Sequence, residues 1–177
     1  MNDRVVLLDE RGLPCGSASR EVVHGPATPL HLAFSCYVLR GDGAMLVTRR
    51  ALTKRSWPGV WTNAFCGHPR PGEPMRAAIR RHARHELGIA VRDVELLLPD
   101  FRYSATDAAG VVENEVCPVY LARSDDDPTP DPAEVAELAW VDPEDLGRAL
   151  AAAPWAFSPW LVEQAARLVQ GDVRAAS

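Results

Sequence analysis

A single α+β domain, with a mixed β-sheet sandwiched between helices, is the fold the sequence predicts. Three observations carry that expectation. With 177 residues, 47% of them hydrophobic and 24% charged, the chain can bury one core without staples. Short apolar runs bounded by turn residues read as strands, and a four-residue apolar spacing reads as a helix. Strands and helices are mixed without strict βαβ alternation, which favours α+β. No internal repeat and no second domain is visible.

The elements follow in order. Residues 5–8 read as a short strand, turned by Asp9-Glu10-Arg11-Gly12. Ser19 is placed to cap a short helix running toward His24, and Gly25-Pro26 ends it. Strands at 32–39 and 44–49 are joined by Gly41-Asp42-Gly43, which supplies the positive φ a tight hairpin needs. Residues 53–68 are polar and aromatic, with a turn at Trp57-Pro58-Gly59, and read as an ordered loop. Pro74 suits the first position of a helix and Gly88 its C-terminal stop. Between them Met75, Ile79, Ala83 and Leu87 recur every four residues and form one buried stripe. Residues 95–102 and 110–121 read as strands around a loop, and 124–132 as an acidic, proline-rich surface loop. A strand near 138–141 and helices near 143–151 and 159–170 complete the pattern.

Composition excludes some functions. The net charge of −5, with no basic stretch interleaved with aromatics, argues against a nucleic-acid partner. No apolar run is long enough to cross a bilayer, so no membrane partner is expected. The opening MNDRVVLLDERG is charged too early for a signal peptide. Cys15, Cys36, Cys66 and Cys117 form no C-x-x-C pair, which fits free thiols in a reduced, cytoplasmic protein. A monomer is expected.

Metal chemistry is suggested by His24, His31 and His68 together with Glu113 and Glu115. Glu113 and Glu115, two apart on a strand, share one face, with Cα atoms about 6.5–7 Å apart. Three imidazoles with one or two carboxylates suit a borderline divalent ion such as Zn2+ or Mn2+. Spacing alone does not establish convergence, since a histidine taken singly is more often an ordinary core or surface residue.

A second pattern runs from residue 67 to 89. Gly67, Glu73, Arg81, Glu86, Gly88 and Ile89 stand at the spacing G-x5-E-x7-R-E-U-x-E-E-x-G-U, with Ala83 at one aliphatic position. This resembles the Nudix box, whose carboxylate cluster in hydrolases holds several Mg2+ ions and activates water. His82 and His85 stand where two of its glutamates belong. A scaffold that keeps one glutamate of the last pair is expected to bind a diphosphate without cleaving it.

Longer strings narrow the resemblance. HLAFSCYVL, MLVTRRALTKRSWPGVWTNAFCGHP, DFRYSATDAAGVVENEVCPV and PWAFSPW together resemble type I isopentenyl-diphosphate delta-isomerase, itself a Nudix-fold family. The likeness runs from about Val5 to Gln164, with CGHP and ENEVCPV in the family's order and separation.

That resemblance implies an active site in which Cys66 and Glu115 face each other across a prenyl diphosphate. It implies one Mn2+, Zn2+ or Mg2+ held by His24, His31, His68, Glu113 and Glu115. It further implies a substrate Mg2+ at Glu86, with the Cys66 carbonyl nearby, and Tyr103 and Trp160 lining the isoprenoid pocket. The Nudix core is expected over about 30–165, within one domain spanning 1–177, with 1–29 an N-terminal extension supplying His24.

The chemistry matches these residue types. Moving a double bond requires protonation at one carbon of a feebly basic alkene and loss of a proton from another, through a tertiary carbocation. Glu115 with Tyr103, and Cys66 opposite, can move those protons; which of the two protonates stays open. A cation beside Cys66 would favour its thiolate. Trp160 can stabilise the carbocation, while Trp57, Trp61 and Trp155 read as scaffold. Arg20, Arg50 and Lys54 are the basic candidates for the diphosphate. A Nudix pyrophosphohydrolase and a non-catalytic diphosphate binder are the competing expectations.

Overall fold

The computed structural model describes residues 4–175, with side chains as far as Val169; residues 1–3 and 176–177, which the single-domain expectation includes, lie outside the described residues. The hairpin of β1 (Arg4–Leu8) and β2 (Pro14–Ser19) is closed by Asp9, whose carboxylate accepts the Arg11 and Leu13 N–H groups. Ser19 precedes the one-turn α1 (Arg20–Val23) in the extended conformation of an N-cap, but its hydroxyl makes no capping hydrogen bond. β3 (His31–Leu32) pairs with β1, and the chain continues into β4 (Phe34–Leu39). The Gly41-Asp42-Gly43 turn leads to β5 (Met45–Arg50); Gly43 takes φ 88°, while Gly41 needs no positive φ.

Residues 53–68 are not wholly a loop. They carry β6 (Trp61–Asn63), which pairs with β5, and β7 (Phe65–Gly67), which pairs with β4. Thr62 and Asn63, which read as loop, are buried here because each finds a partner. Thr48 Oγ1 donates to the Asn63 and Ala64 carbonyls, and Asn63 Nδ2 donates to those of Cys36 and Phe65.

Two expected strands are each broken. The first becomes β8 (Arg92–Leu98) and β9 (Arg102–Thr106), the second β10 (Val112–Val116) and β11 (Val119–Arg123). Pro118 has no N–H to continue a ladder, and each break lets the chain change sheets. After β12 (Val135–Val141), α3 (Pro143–Ala152) is capped by Asp142, whose carboxylate accepts the Glu144 and Asp145 N–H groups. A 3-10 turn (Pro154–Ala156) leads into α4 (Pro159–Ala175).

The strands form two mixed sheets. One has the order β2-β1-β3-β10-β9; the other has β12-β5-β4-β11-β8, with β6 and β7 attached. Each contains a parallel pair, β3 with β10 and β4 with β11. Hydrogen bonds from Ala33 N to Val116 O (2.9 Å) and Ser35 N to Pro118 O (3.1 Å) carry this pairing across the breaks. Both chain segments therefore pass from one sheet to the other side by side.

The long helix α2 (Met75–Leu87) packs its predicted stripe, Met75, Ile79, Ala83 and Leu87, into the core with Phe34, Val38 and Leu46. Burying a side chain such as Ile79 or Leu87 fully contributes about 1.5–3 kcal/mol. Pro74 stands just before the helix in an extended conformation (φ −61°, ψ 136°) instead of at its first helical position. Gly88 ends the helix at φ 68°. The acidic loop closes over this end, its Thr129 and Asp131 N–H groups donating to the Leu87 and Glu86 carbonyls (both 2.9 Å). A second core, including Phe101, Val119, Leu146, Leu150, Trp160 and Leu161, brings in α3 and α4.

Candidate active site

The site is built where the two segments change sheets. Parallel pairing sets His31 of β3 opposite Glu115 of β10, and antiparallel pairing sets Tyr103 of β9 opposite Glu115 on its other side. Tyr103 donates its hydroxyl proton to Glu115 Oε2 at 2.9 Å. His24 follows α1 and is fixed beside Glu113 because the next residue, Gly25, bridges to Val112. His68 follows β7, and its carbonyl accepts a hydrogen bond from Arg81 of α2, which Glu73 holds through both carboxylate oxygens at 2.7 and 2.8 Å. The box residues Glu73 and Arg81 thus hold the backbone at His68.

His24, His31, His68 and Glu115 each bring a ligand atom within 4.8 Å of the others. The ring centroids of the three histidines lie 5.0–5.5 Å apart. His31 Nδ1 lies 2.9 Å from the Pro29 carbonyl, to which it donates in the tautomer that leaves Nε2 as a lone pair facing the cluster. His24 Nε2, His31 Nε2 and Glu113 Oε2 are buried without a hydrogen-bond partner, and His24 Nε2 lies 3.0 Å from Glu113 Oε2. Buried polar atoms left unpaired are costly, and unpaired donor atoms that converge are what a divalent ion satisfies. The four-residue donor set therefore fits a borderline ion, while Glu113, the fifth predicted ligand, stands outside that group with its Oε2 beside His24.

Electrostatics follow from this packing. Burial alone would raise the Glu115 carboxyl, but hydrogen bonds and charge from His31 and His68 hold it well below the usual carboxylate range. Burial pushes His68 down to about 4, against the pull of Glu115. For His31, burial is outweighed by the hydrogen bond and charge of Glu115, and the net shift is upward. Burial pushes the Tyr103 phenol well up, assisted by the charges of Glu115 and Glu113.

The expectation of a favoured Cys66 thiolate depends on a cation beside it, and the protein's own groups act on balance in the opposite direction. Burial pushes the thiol up to about 11, with Glu115 adding to the rise and hydrogen bonds to Ser35 and Asn63 opposing it. The protein by itself keeps Cys66 protonated, because the charge of Arg50 and the two hydrogen bonds only partly offset the lost solvent. Its Sγ is held 3.1 Å from Ser35 Oγ and 3.4 Å from Asn63 Oδ1.

These residues share one cavity of about 500 Å³. Cys66, Tyr103, Glu115 and Trp160 line it beside His24, His68 and Glu113, and Arg20, Arg50 and Lys54 line it too. His31 and Glu86 are buried and do not line it. Trp160 is fixed by its indole N–H to Thr62 Oγ1 (3.0 Å) and lies 5.6 Å from Tyr103 between ring centroids.

The basic residues are already engaged. Arg50 donates to the Ser56 and Trp57 carbonyls and stacks over Trp160 at 5.5 Å. Lys54 pairs with Glu134, and Arg20 lies 3.8 Å from the same carboxylate. Glu86 accepts from His82 Nδ1 at 2.6 Å, and burial, which would raise its carboxyl, is outweighed by that bond and by the charges of His82, Lys54 and Arg20.

Sequence reasoning did not reach Ser35, Asn63, Ser56 or Glu134. A lone hydroxyl, amide or carboxylate carries no periodic signal, and these partners become visible only once strands distant in sequence are paired.

Comparison with known proteins gives a consistent picture. A NUDIX domain matches residues 29–161. Curated relatives include an "Isopentenyl-diphosphate Delta-isomerase" of Agromyces mediolanus, 63% identical over 91% of this chain and 78% of that one. A protein of the same name from Kocuria rhizophila is 60% identical over 92% of this chain and 90% of its own. Among solved structures, DR0079 from Deinococcus radiodurans aligns with a TM-score of 0.71 at 23% identity, covering 94% of this chain and 99% of that one, a likeness of fold. A MutT NUDIX hydrolase from Burkholderia pseudomallei aligns at 0.52 and 28% identity, over 64% of this chain and 83% of its own.

Proposed function

The chain belongs to the NUDIX domain family and, within it, to the isopentenyl-diphosphate Delta-isomerases, and on that premise we propose that it interconverts isopentenyl and dimethylallyl diphosphate in the Cys66–Glu115 cavity. The observation that carries this reading is a single cavity lined by a thiol, a carboxylate hydrogen-bonded to a phenol, and an indole. Those are the groups needed to add a proton to one carbon of an alkene, remove one from another, and shelter the cation between.

Cys66 and Glu115 are assigned the two proton transfers, on opposite faces of the substrate, and Tyr103 relays protons to Glu115. Trp160 faces the tertiary carbocation, where an indole in a water-excluded site contributes about 2 kcal/mol. His24, His31, His68, Glu113 and Glu115 are assigned to one Mn2+, Zn2+ or Mg2+. Bound there, the ion would supply the charge that makes a proton on Glu115 more acidic.

Glu86 and the Cys66 carbonyl are assigned to the Mg2+ that accompanies the diphosphate. Arg20, Lys54 and Arg50 are assigned to its oxygens, with the diphosphate replacing Glu134 as partner of the first two. Fixing the diphosphate orients the alkene against Cys66 and Glu115. Residues 1–29 are assigned as the extension that supplies His24 to a core spanning about 30–165.

A monomeric, cytoplasmic protein fits the free cysteines, and light scattering of the purified chain reads the oligomeric state. Among the described residues no helix is long and apolar enough to cross a membrane.

The deciding experiment incubates the protein with isopentenyl diphosphate and Mg2+ in D2O and follows proton NMR. Dimethylallyl diphosphate with deuterium incorporation is expected. Released phosphate would instead mean hydrolysis, and an unchanged spectrum a binder; either result overturns the assignment.

A further inference from the structure

We propose that Ser56 is a positioning residue for the metal centre, fixing Glu113 at its edge so that a single carboxylate oxygen is presented beside His24. The inference rests on the reading of the histidine–glutamate cluster as a metal centre. Ser56 is buried, and its Oγ donates to Glu113 Oε1 at 2.5 Å. The other oxygen, Oε2, is buried without a hydrogen-bond partner, 3.0 Å from the equally unpartnered His24 Nε2. One oxygen is therefore occupied by the serine and the other is left for the cluster.

Ser56 is itself held in place. Arg50 Nη2 reaches the Ser56 carbonyl at 2.8 Å and its hydroxyl at 3.2 Å. The next residue, Trp57, sits at φ 50° with its N–H on Asp107 Oδ2 (3.1 Å). A bulky residue stays in that left-handed region only when its surroundings over-determine it. Contacts on both sides thus hold the serine backbone while its hydroxyl reaches Glu113. A carboxylate freed from such a bond can rotate or bind through both oxygens, and the geometry offered to an ion is lost.

The test is competition of the intact protein with a chromophoric chelator for Zn2+, together with the visible spectrum of the Co2+ form. Ser56→Ala should lower Zn2+ affinity by about tenfold or more and shift the Co2+ absorption. Ser56→Thr, which keeps the donor, should restore both. In a Glu113→Gln background, adding Ser56→Ala should change neither further. Should Ser56→Ala not fold by circular dichroism, Ser56→Gly, which also lacks the donor and adds no metal ligand, is read in the same way. Wild-type Zn2+ affinity and an unshifted Co2+ spectrum in the folded variant overturn the proposal. A wild-type protein that takes up no ion overturns the metal reading on which it stands, a distinct and separately visible outcome.

Discussion

At the scale of single residues, the site concentrates its chemistry in side chains whose surroundings are fully specified. Cys66 is held by Ser35 and Asn63, and Glu115 by Tyr103, His31 and His68. Cys66→Ala and Glu115→Gln are each expected to cut turnover by about a thousandfold or more, with an unchanged circular dichroism spectrum; near-normal conversion in either would remove that residue from the mechanism. Gly67 has a different task. A Cβ there would lie 2.5 Å from the His82 ring, so the backbone of β7 approaches that histidine as only glycine permits. Gly67→Ala is expected to lose about 1–3 kcal/mol, measured by urea unfolding, and replacing His82 by Ala in the same chain should recover part of it. The CGHP and ENEVCPV strings drew attention to Cys66, His68, Glu113 and Glu115, and the structure brings these four to one cavity. Their hydroxyl and amide partners were not legible in the sequence, because a hydrogen-bond partner is defined by position in space and any polar residue could have filled it.

At the scale of elements, α2 owes its register to both its ends. Glu73 accepts from Arg70 N and from two nitrogens of Arg81, and its carboxyl is held below the usual range by Arg81 in the first place. Because the folded value is depressed below the ordinary 4.5, this contribution is present above that pH and is lost as pH falls through the folded value. Glu73→Gln is therefore expected to cost about 1–3 kcal/mol at neutral pH, and the gap from wild type should close in acid, as the pH falls through the depressed folded value. Urea unfolding at neutral and acid pH measures it, and a gap that persists in acid would mean the loss is one of packing. The helix itself was readable, since Met75, Ile79, Ala83 and Leu87 keep a helical period over its whole length. β6 and β7 were not, since three-residue strands are too short to display alternation. Their buried Thr62 and Asn63 look identical to loop residues until Ser158 and the Cys36 carbonyl of β4 supply the partners. The broken strands were missed for a related reason: apolar runs do not announce which of two sheets they join.

At the scale of the molecule, the two sheets are joined through their parallel pairs, and the unpaired donor atoms of the cluster sit where those pairs change sheets. An ion that binds only the folded chain stabilises it by about 2.7 kcal/mol at a hundred times its dissociation constant. Mn2+ or Zn2+ should accordingly raise the Tm and a chelator lower it. Glu115→Gln should blunt that response, and an unresponsive wild type would count against the centre. The α+β class was legible from mixed strand and helix signals; the division into two sheets was not.

The parallel pairing of β3 with β10 has a kinetic consequence. His31 and Glu115 become neighbours only after the intervening chain has already found its place, since no hairpin can bring them together. Contacts between such distant segments carry a high loop-closure cost and form late. Catalytic competence should therefore appear late on the refolding path, as read by isomerisation during refolding, and a nascent chain not yet extended to Glu115 holds no partial version of the activity.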